Sequence, residues 1–260
     1  MPTVEEGRIL GHEGVGVVTE VGPGCTTVKV GDRVAYVADL ATNWVGLRHT
    51  PASSRKAAIV LANYPNKDGR IANGVGYDTP ASTIAILRAM QAMGFDTGEL
   101  PSNGNDLIFS LASSRHRDGN ALELDVYRRQ FSLLPSKVRE KISSQWGIPE
   151  TDPSCRQGAF HLAIQTYGNV AVAIQPARGY NIDPKATYHD AALAPPHGYL
   201  AFYFWLRHVF GAQAIIHNGK HGNLEWLPGK ANGLSEECFP EIAHGPVPQL
   251  YPFIVNDPGE

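Results

Sequence analysis

The sequence predicts an α/β fold: a mainly parallel sheet flanked by helices, with a short β segment at the N-terminus. Two observations carry this prediction. The apolar run 56–62 is followed by a glycine-rich loop and by Thr79-Pro80, which has the composition of a helix start. The β-branched run 212–216 follows an apolar helical segment, 198–210, that Gly211 closes. Strand, glycine loop and helix in this order are typical of a βαβ unit.

The remaining elements follow from hydrophobic periodicity and from glycine and proline positions. Residues 105–147 have a helical pattern of apolar residues. A long proline-bearing loop is predicted at 175–197. The other predicted elements are β-structure within 14–30, two strands at 160–165 and 169–174 around a Tyr167-Gly168 turn, a helix ending at Gly94, a short helix at 235–242 and a last strand at 250–255.

Composition narrows the class of protein. The chain has 260 residues, of which 43% are hydrophobic, enough for one large domain or two smaller ones. A net charge of −3 gives no global attraction to nucleic acid or to an anionic membrane. The three cysteines form no CxxC pair, which favours a reducing compartment over a disulfide framework or a structural zinc site. The absence of a leader and of an apolar run near the roughly 20 residues of a membrane span predicts a cytoplasmic protein.

The most informative segment is 217–230, where His217, His221 and Glu225 recur at intervals of four. Gly219 and Gly222 predict that a loop begins at His217, directly after a buried strand. Such strand ends are where α/β sheets place their ligands. Imidazole and carboxylate groups suit a divalent ion such as zinc, cobalt or nickel, or a proton relay. The alternative is that the histidines only satisfy backbone groups and that Glu225 is a surface acid.

A second candidate group follows the strand that ends near residue 174. Arg178 offers a planar fork for a carboxylate, and Tyr180 offers a flat face for a ring system. We expect their loop to face the same edge of the sheet as His217. The alternative for Arg178 is an ordinary surface arginine at a turn.

The sequence lacks the usual nucleotide-binding motifs. The pattern Gly-x4-Gly-Lys-Ser/Thr is absent, and Thr19 stands where Gly14-Val-Gly16 would need a third glycine for a dinucleotide fingerprint. HExxH and Gly-x-Ser-x-Gly are absent too. We therefore do not expect this chain to use a nucleotide by itself.

Six stretches of the sequence carry a family resemblance: 59–70, 74–80, 175–180, 196–199, 217–230 and 254–259. On these stretches, from about residue 38 to 260, the chain resembles the large subunit of aerobic cobaltochelatase (CobN-type), which is related to the magnesium chelatase H subunit. The resemblance implies a tetrapyrrole-binding subunit that inserts cobalt(II), its substrate metal, into a corrin precursor, hydrogenobyrinic acid a,c-diamide, in cobalamin biosynthesis. It also implies a ligase that forms nitrogen–metal bonds together with AAA-type ATPase partner subunits, which would use the ATP.

The resemblance implies roles for the candidate residues. His217, His221 and Glu225 would hold the metal and accept the pyrrolic protons. Ring carboxylates would pair with Arg178, Lys220 and Lys230, and the ring would stack on Tyr180 or Trp226. Family members are many hundreds of residues longer, so we expect a fragment that is inactive alone. A magnesium chelatase H-type subunit of (bacterio)chlorophyll biosynthesis and a non-catalytic tetrapyrrole-binding fragment remain alternatives.

Residues 1–34 instead resemble the GroES-like domain of zinc-dependent medium-chain alcohol dehydrogenases. His12 would match a zinc ligand there, with Glu13 as its neighbour. The other ligands and the cofactor domain are missing, and one histidine cannot hold zinc, so an alcohol dehydrogenase is disfavoured. The predicted organisation is a GroES-like segment at 1–34, a junction at 35–55 and a chelatase-type domain at 56–260.

Overall fold

The computed structural model describes residues 33–63, 72, 77–114, 120–180, 190, 192–219, 224, 227–229, 235 and 237–252. The described helices are α1 (Arg33–His49), α2 (Thr79–Ala92), α3 (Gly104–Ser114), α4 (Leu124–Ser132), α5 (Ser136–Trp146), α6 (His197–Phe204), which continues as a π-helix over Trp205–Phe210, and α7 (Phe239–His244). The described strands are β1 (Ala57–Leu61), β2 (Ala121–Glu123), β3 (Cys155–Arg156), β4 (Ala159–His161), β5 (Ile164–Tyr167), β6 (Val170–Ile174), β7 (Ala214–Asn218) and β8 (Gln249–Leu250).

The larger sheet is mixed rather than mainly parallel. Its order is β5-β6-β1-β7-β8, in which β1 is parallel to β6 and β7, and β7 to β8, whereas β5 is antiparallel to β6. A tight turn at Gly168, with φ 54°, joins β5 to β6, and so short a connection can join only antiparallel strands. The smaller sheet, β2-β4-β3, is antiparallel. The expectation of a mainly parallel sheet was therefore wrong.

The central strands are apolar along their whole length because both faces of the sheet are covered. Every residue of β1 and of β6 is buried, the pattern expected for strands between two helical layers. One face packs on α2 and α3 through a core that includes Ile59, Leu87 and Leu107. The other face packs on α6, whose eight residues are all buried. The prediction of a buried helix closed by Gly211 is confirmed, since Gly211 has φ 74°.

Helix α2 starts close to where the sequence predicts, with a different cap. The Asp78 side chain accepts a hydrogen bond from the Ala81 backbone N–H at 3.0 Å, and Pro80 lies in the first turn. The helix therefore uses Asp78 as its N-cap, where the composition suggested Thr79. Gly94, with φ 87°, follows the helix end as expected.

Three further differences concern strands and short helices. The predicted helical region 105–147 is interrupted by β2, which pairs with β4. The helix predicted at 235–242 is observed at Phe239–His244. The last strand begins at Gln249, one residue earlier than predicted, and residues 253–255 lie outside the described part of the chain.

Helix α1 occupies most of the predicted junction and is bonded to the rest of the fold. Tyr36 Oη donates a hydrogen bond to the Gly245 carbonyl at 2.8 Å, and Asn43 Nδ2 donates to the Pro246 carbonyl at 2.7 Å. The predicted β segment, including His12 and Glu13, lies outside the described residues. Within the residues that are described, no helix is long and apolar enough to span a membrane.

Candidate functional site

The carboxyl ends of β6, β1 and β7 form one edge of the larger sheet. Backbone hydrogen bonds continue past the strands here: Gln175 N–H donates to the Leu61 carbonyl at 3.0 Å, and Ala62 N–H donates to the Asn218 carbonyl at 2.9 Å. The segment 175–180 and the segment that starts at Gly219 therefore leave the sheet at the same edge. This is the edge at which the sequence predicts the site.

His217 belongs to β7 and not to a loop. It pairs with Val60 of β1 in a parallel ladder and is 4% exposed, so the prediction that the loop begins at His217 was wrong. The strand extends two residues beyond its predicted end because His217 and Asn218 still pair with β1, through Val60 and Leu61. The loop boundary moves to Gly219.

Both ring nitrogens of His217 have protein partners. Nδ1 lies 3.2 Å from Gln249 Nε2, and Nε2 lies 3.1 Å from Tyr203 Oη. Because an amide nitrogen donates, Nδ1 accepts, and the ring proton on Nε2 is donated to Tyr203. Burial, with a smaller effect of His244, lowers the pKa of His217 to about 3. The imidazole is therefore neutral at physiological pH, with its lone pair on Nδ1.

His217 is part of a polar group that we call the edge cluster, which is buried except at Gln249, which is exposed, and Tyr251, which is half-buried. Gln175 Nε2 donates to Tyr203 Oη at 3.1 Å, which connects the end of β6 to α6. The His244 ring centroid lies 6.0 Å from that of His217. The members of the edge cluster are Gln175, Tyr199, Tyr203, His217, His244, Gln249 and Tyr251.

His244 is the second neutral imidazole of the edge cluster. Its Nδ1–H donates to the Gly245 carbonyl at 3.1 Å. Its Nε2 is buried and has no hydrogen-bond partner among the described residues. Burial is the main cause that lowers its pKa to about 4. Sequence reasoning missed His244 and Gln249, and only the i, i+4 spacing of Tyr199 and Tyr203 could have marked one face of α6.

Asn218 anchors the opposite face of the same strand end, since successive strand residues point to opposite faces. Tyr77 Oη donates to Asn218 Oδ1 at 2.8 Å, and Asn218 Nδ2 donates to Thr83 Oγ1 at 2.9 Å. The Thr83 hydroxyl in turn donates to the Thr79 carbonyl at 2.8 Å. The first turn of α2 is thereby tied to the end of β7.

Gly219 allows the chain to leave the sheet between β1 and β7. It has φ 153°, and an added Cβ would overlap the Ala62 Cβ and lie 3.2 Å from Ala62 N. Only glycine fits this close approach. Beyond it, Leu224 and Leu227 are buried in the core. The predicted site residues Lys220, His221, Glu225, Trp226 and Lys230 lie outside the described residues.

Arg178 and Tyr180 point to structural partners. Arg178 is 1% exposed, and its Nη2 donates to the carbonyls of Asp190 at 3.0 Å and Leu193 at 3.2 Å. It therefore holds the end of the 175–197 loop instead of standing at the surface. The Tyr180 ring packs on Trp146 with centroids 4.7 Å apart. Burial raises the pKa of Tyr180.

Among the described residues, no group of three or more His, Cys, Asp or Glu side chains could hold a metal ion. His221 and Glu225 lie outside the described part of the chain.

Residues 17–260 match the family model described as CobN/Magnesium Chelatase. The chain belongs to this family. It is 54% identical over 262 residues to the aerobic cobaltochelatase subunit CobN of a Sinorhizobium species, covering 98% of this chain and 19% of that protein. The corresponding protein of Pseudomonas aeruginosa is 50% identical over 238 residues, with 88% and 19% coverage. The magnesium-chelatase H subunit of Chlorobaculum parvum is 32% identical over 239 residues, with 89% and 19% coverage.

A solved structure agrees with this assignment. The catalytic subunit of cobaltochelatase from Mycobacterium tuberculosis superposes with a TM-score of 0.73 at 39% identity, covering 86% of this chain and 20% of that one. The chain thus spans about a fifth of the length of the relatives that it matches. The family match includes 17–34, and the alignment with the Sinorhizobium protein covers 98% of the chain. A GroES-like origin for residues 1–34 is therefore not supported.

Proposed function

We propose that this chain is part of the tetrapyrrole-binding subunit of an ATP-dependent cobaltochelatase. The observation that carries the proposal is the identity of 54% to an aerobic cobaltochelatase subunit across 98% of the chain. The substrates would be cobalt(II) and a corrin precursor, hydrogenobyrinic acid a,c-diamide. Since no P-loop is present in the sequence, ATP hydrolysis would belong to AAA-type partner subunits.

Metal insertion displaces the inner N–H protons of the ring, one for a corrin and two for a porphyrin, as the divalent cation binds the ring nitrogens. Groups that accept protons and coordinate the ion weakly are suited to this exchange. We propose His217, His221 and Glu225 for this role, as the sequence predicts. The lone pair of His217 is on Nδ1, which accepts a hydrogen bond from Gln249, so direct contact of His217 with cobalt requires Gln249 to move away. His221 and Glu225 are the first groups to test.

Of the residues that the sequence suggests as ring contacts, Arg178 is the one to which we assign a different role. Lys220 and Lys230 remain the proposed partners of ring carboxylates, and Trp226 or Tyr180 remains the proposed stacking surface. Arg178 would act differently, because its guanidinium is buried against the carbonyls of Asp190 and Leu193. We propose that it shapes the loop that borders the ring.

The test follows the absorption spectrum of the corrin precursor during cobalt insertion. His221→Ala and Glu225→Gln would be made in the family-length subunit, supplied with its ATPase partners, ATP and cobalt. We expect each change to lower the insertion rate at least tenfold while the dissociation constant for the ring stays within about twofold. An equal loss of ring affinity and insertion rate would assign these residues to ring binding.

Two comparisons separate the alternatives. Magnesium in place of cobalt tests a magnesium chelatase H-type role, which the lower identity of 32% to such a protein makes the second candidate. The 260-residue chain alone should give no insertion above the uncatalysed rate, since a macrocycle needs a pocket that encloses most of its surface. Insertion by this chain alone would show that it is a complete enzyme.

A further inference from the structure

We propose that Tyr203 is a positioning residue that fixes the His217 imidazole at the insertion site. This inference rests on the proposed function. Tyr203 lies on α6, is fully buried and brings one hydroxyl to two strand ends. Its Oη is 3.1 Å from Gln175 Nε2, beyond β6, and 3.1 Å from His217 Nε2, on β7.

The His217 ring is held from two sides. Gln249 of β8 donates to Nδ1, and Tyr203 of α6 accepts the proton of Nε2. This pair of bonds selects one tautomer and one ring orientation, with the lone pair on Nδ1. Without the Tyr203 hydroxyl, the Nε2–H group would be buried without that acceptor, which favours a rotated ring or the other tautomer.

The position of His217 makes this bond relevant to the site. The chain passes from His217 through Asn218 to Gly219 and then to the segment that carries His221 and Glu225. Asn218 is fixed on the other face of the sheet by Tyr77 and Thr83. Tyr203 therefore completes the fixation of the strand end from which that segment starts.

The same domain contains a matched control pair. Tyr127 Oη lies 2.6 Å from His197 Nδ1, and both residues are fully buried. His197 Nε2–H donates to the Gly147 carbonyl at 3.1 Å. This second tyrosine–histidine pair is at the start of α6, outside the edge cluster. Tyr127→Phe removes the same atom as Tyr203→Phe without touching His217.

The activity test uses both variants in the family-length subunit with its ATPase partners. We expect Tyr203→Phe to lower kcat for cobalt insertion about tenfold and to leave KM for the corrin precursor within about twofold. Tyr127→Phe should leave kcat within about twofold. Equal effects of the two variants, or unchanged kcat in Tyr203→Phe, would overturn the inference. In a subunit that already carries His217→Gln, adding Tyr203→Phe should not lower kcat further. An additive further decrease in kcat would assign Tyr203 to general packing.

A second readout does not depend on activity. Long-range ¹H–¹⁵N spectra of the 260-residue chain report which nitrogen of each histidine carries the proton. We expect a protonated Nε2 on His217 in the unchanged chain, and displaced His217 signals in Tyr203→Phe. Tyr127→Phe should displace the signals of His197 only. Unchanged His217 signals in Tyr203→Phe would refute the inference even where chelatase activity is present. A subunit that inserts no cobalt but shows these displacements would refute the proposed function instead.

Discussion

Gly219→Ala should destabilise the protein at the point where the site loop leaves the sheet. The new Cβ would overlap the Ala62 Cβ and approach Ala62 N to 3.2 Å and Ala62 Cα to 3.3 Å, at a φ of 153°. Overpacking of this kind costs about 1–3 kcal/mol, and the unfavourable φ adds about 1 kcal/mol. We expect the free energy of unfolding to fall by about 3 kcal/mol, which lowers Tm by about 6–12 °C for a chain of this size.

Two variants make this prediction specific. Ala62→Gly removes the atom that the new Cβ meets, so the double variant should be at least about 1 kcal/mol more stable than Gly219→Ala alone. Gly46→Ala, inside α1 with no atom within 4 Å of an added Cβ, should instead gain about 0.5–1 kcal/mol. Urea unfolding followed by circular dichroism measures all four proteins. A Gly219→Ala midpoint equal to that of the unchanged chain would refute the reasoning.

Three further predictions concern stability. The pKa values of His217 and His244 are lowered from 6.5 to about 3 and about 4 by burial. As pH falls, the two histidines therefore bind protons in the unfolded chain before they do so in the folded chain. The free energy of unfolding should decrease as pH falls from about 6.5 toward 4, by at most about 1.4 kcal/mol per pH unit for each imidazole. Urea titrations at pH 7 and pH 5 check this, and His244→Gln should reduce the difference. Arg178→Met should lower the free energy of unfolding by about 2–4 kcal/mol in the same assay, because two carbonyls lose their hydrogen-bond donor. A decrease below about 0.5 kcal/mol would contradict this prediction. Tyr36→Phe should lower the free energy of unfolding by about 1 kcal/mol, and Asn43→Ala, at an exposed position, should lower it clearly less. The reverse order would show that other contacts hold α1.

Local patterns predicted the central fold well. The buried strands β1, β6 and β7 coincide with apolar runs, and Gly94 and Gly211 mark helix ends with positive φ. Short or distant partners were missed. Strand β2 has three residues and exists because it pairs with β4. Helix α1 bonds to Gly245 and Pro246, about 200 positions away in sequence.

His217 lies at the edge of the sheet where the sequence placed it, with neighbours that sequence reasoning missed. His217 was found because it follows a β-branched run, whereas Tyr203, His244 and Gln249 reach it from α6, α7 and β8. That meeting depends on the parallel pairing of Ile215 with Gln249, which no local pattern encodes. Sequence reasoning proposed Arg178 as a partner for a carboxylate, with a surface arginine as the alternative. Its side chain is instead buried, and its Nη2 donates to backbone carbonyls 12 and 15 residues later.

The consecutive positions of His217 and Asn218 restrict how β7 can vary in length. One residue inserted or deleted within β7, before His217, would slip the register by one and exchange the faces of the two side chains. The imidazole would then meet Thr83 and Tyr77, and the amide would meet Tyr203 and Gln249. A change of two residues would restore the faces but shift the strand end by about 6.6 Å relative to β1. Length changes that preserve this edge of the sheet must therefore fall outside β7.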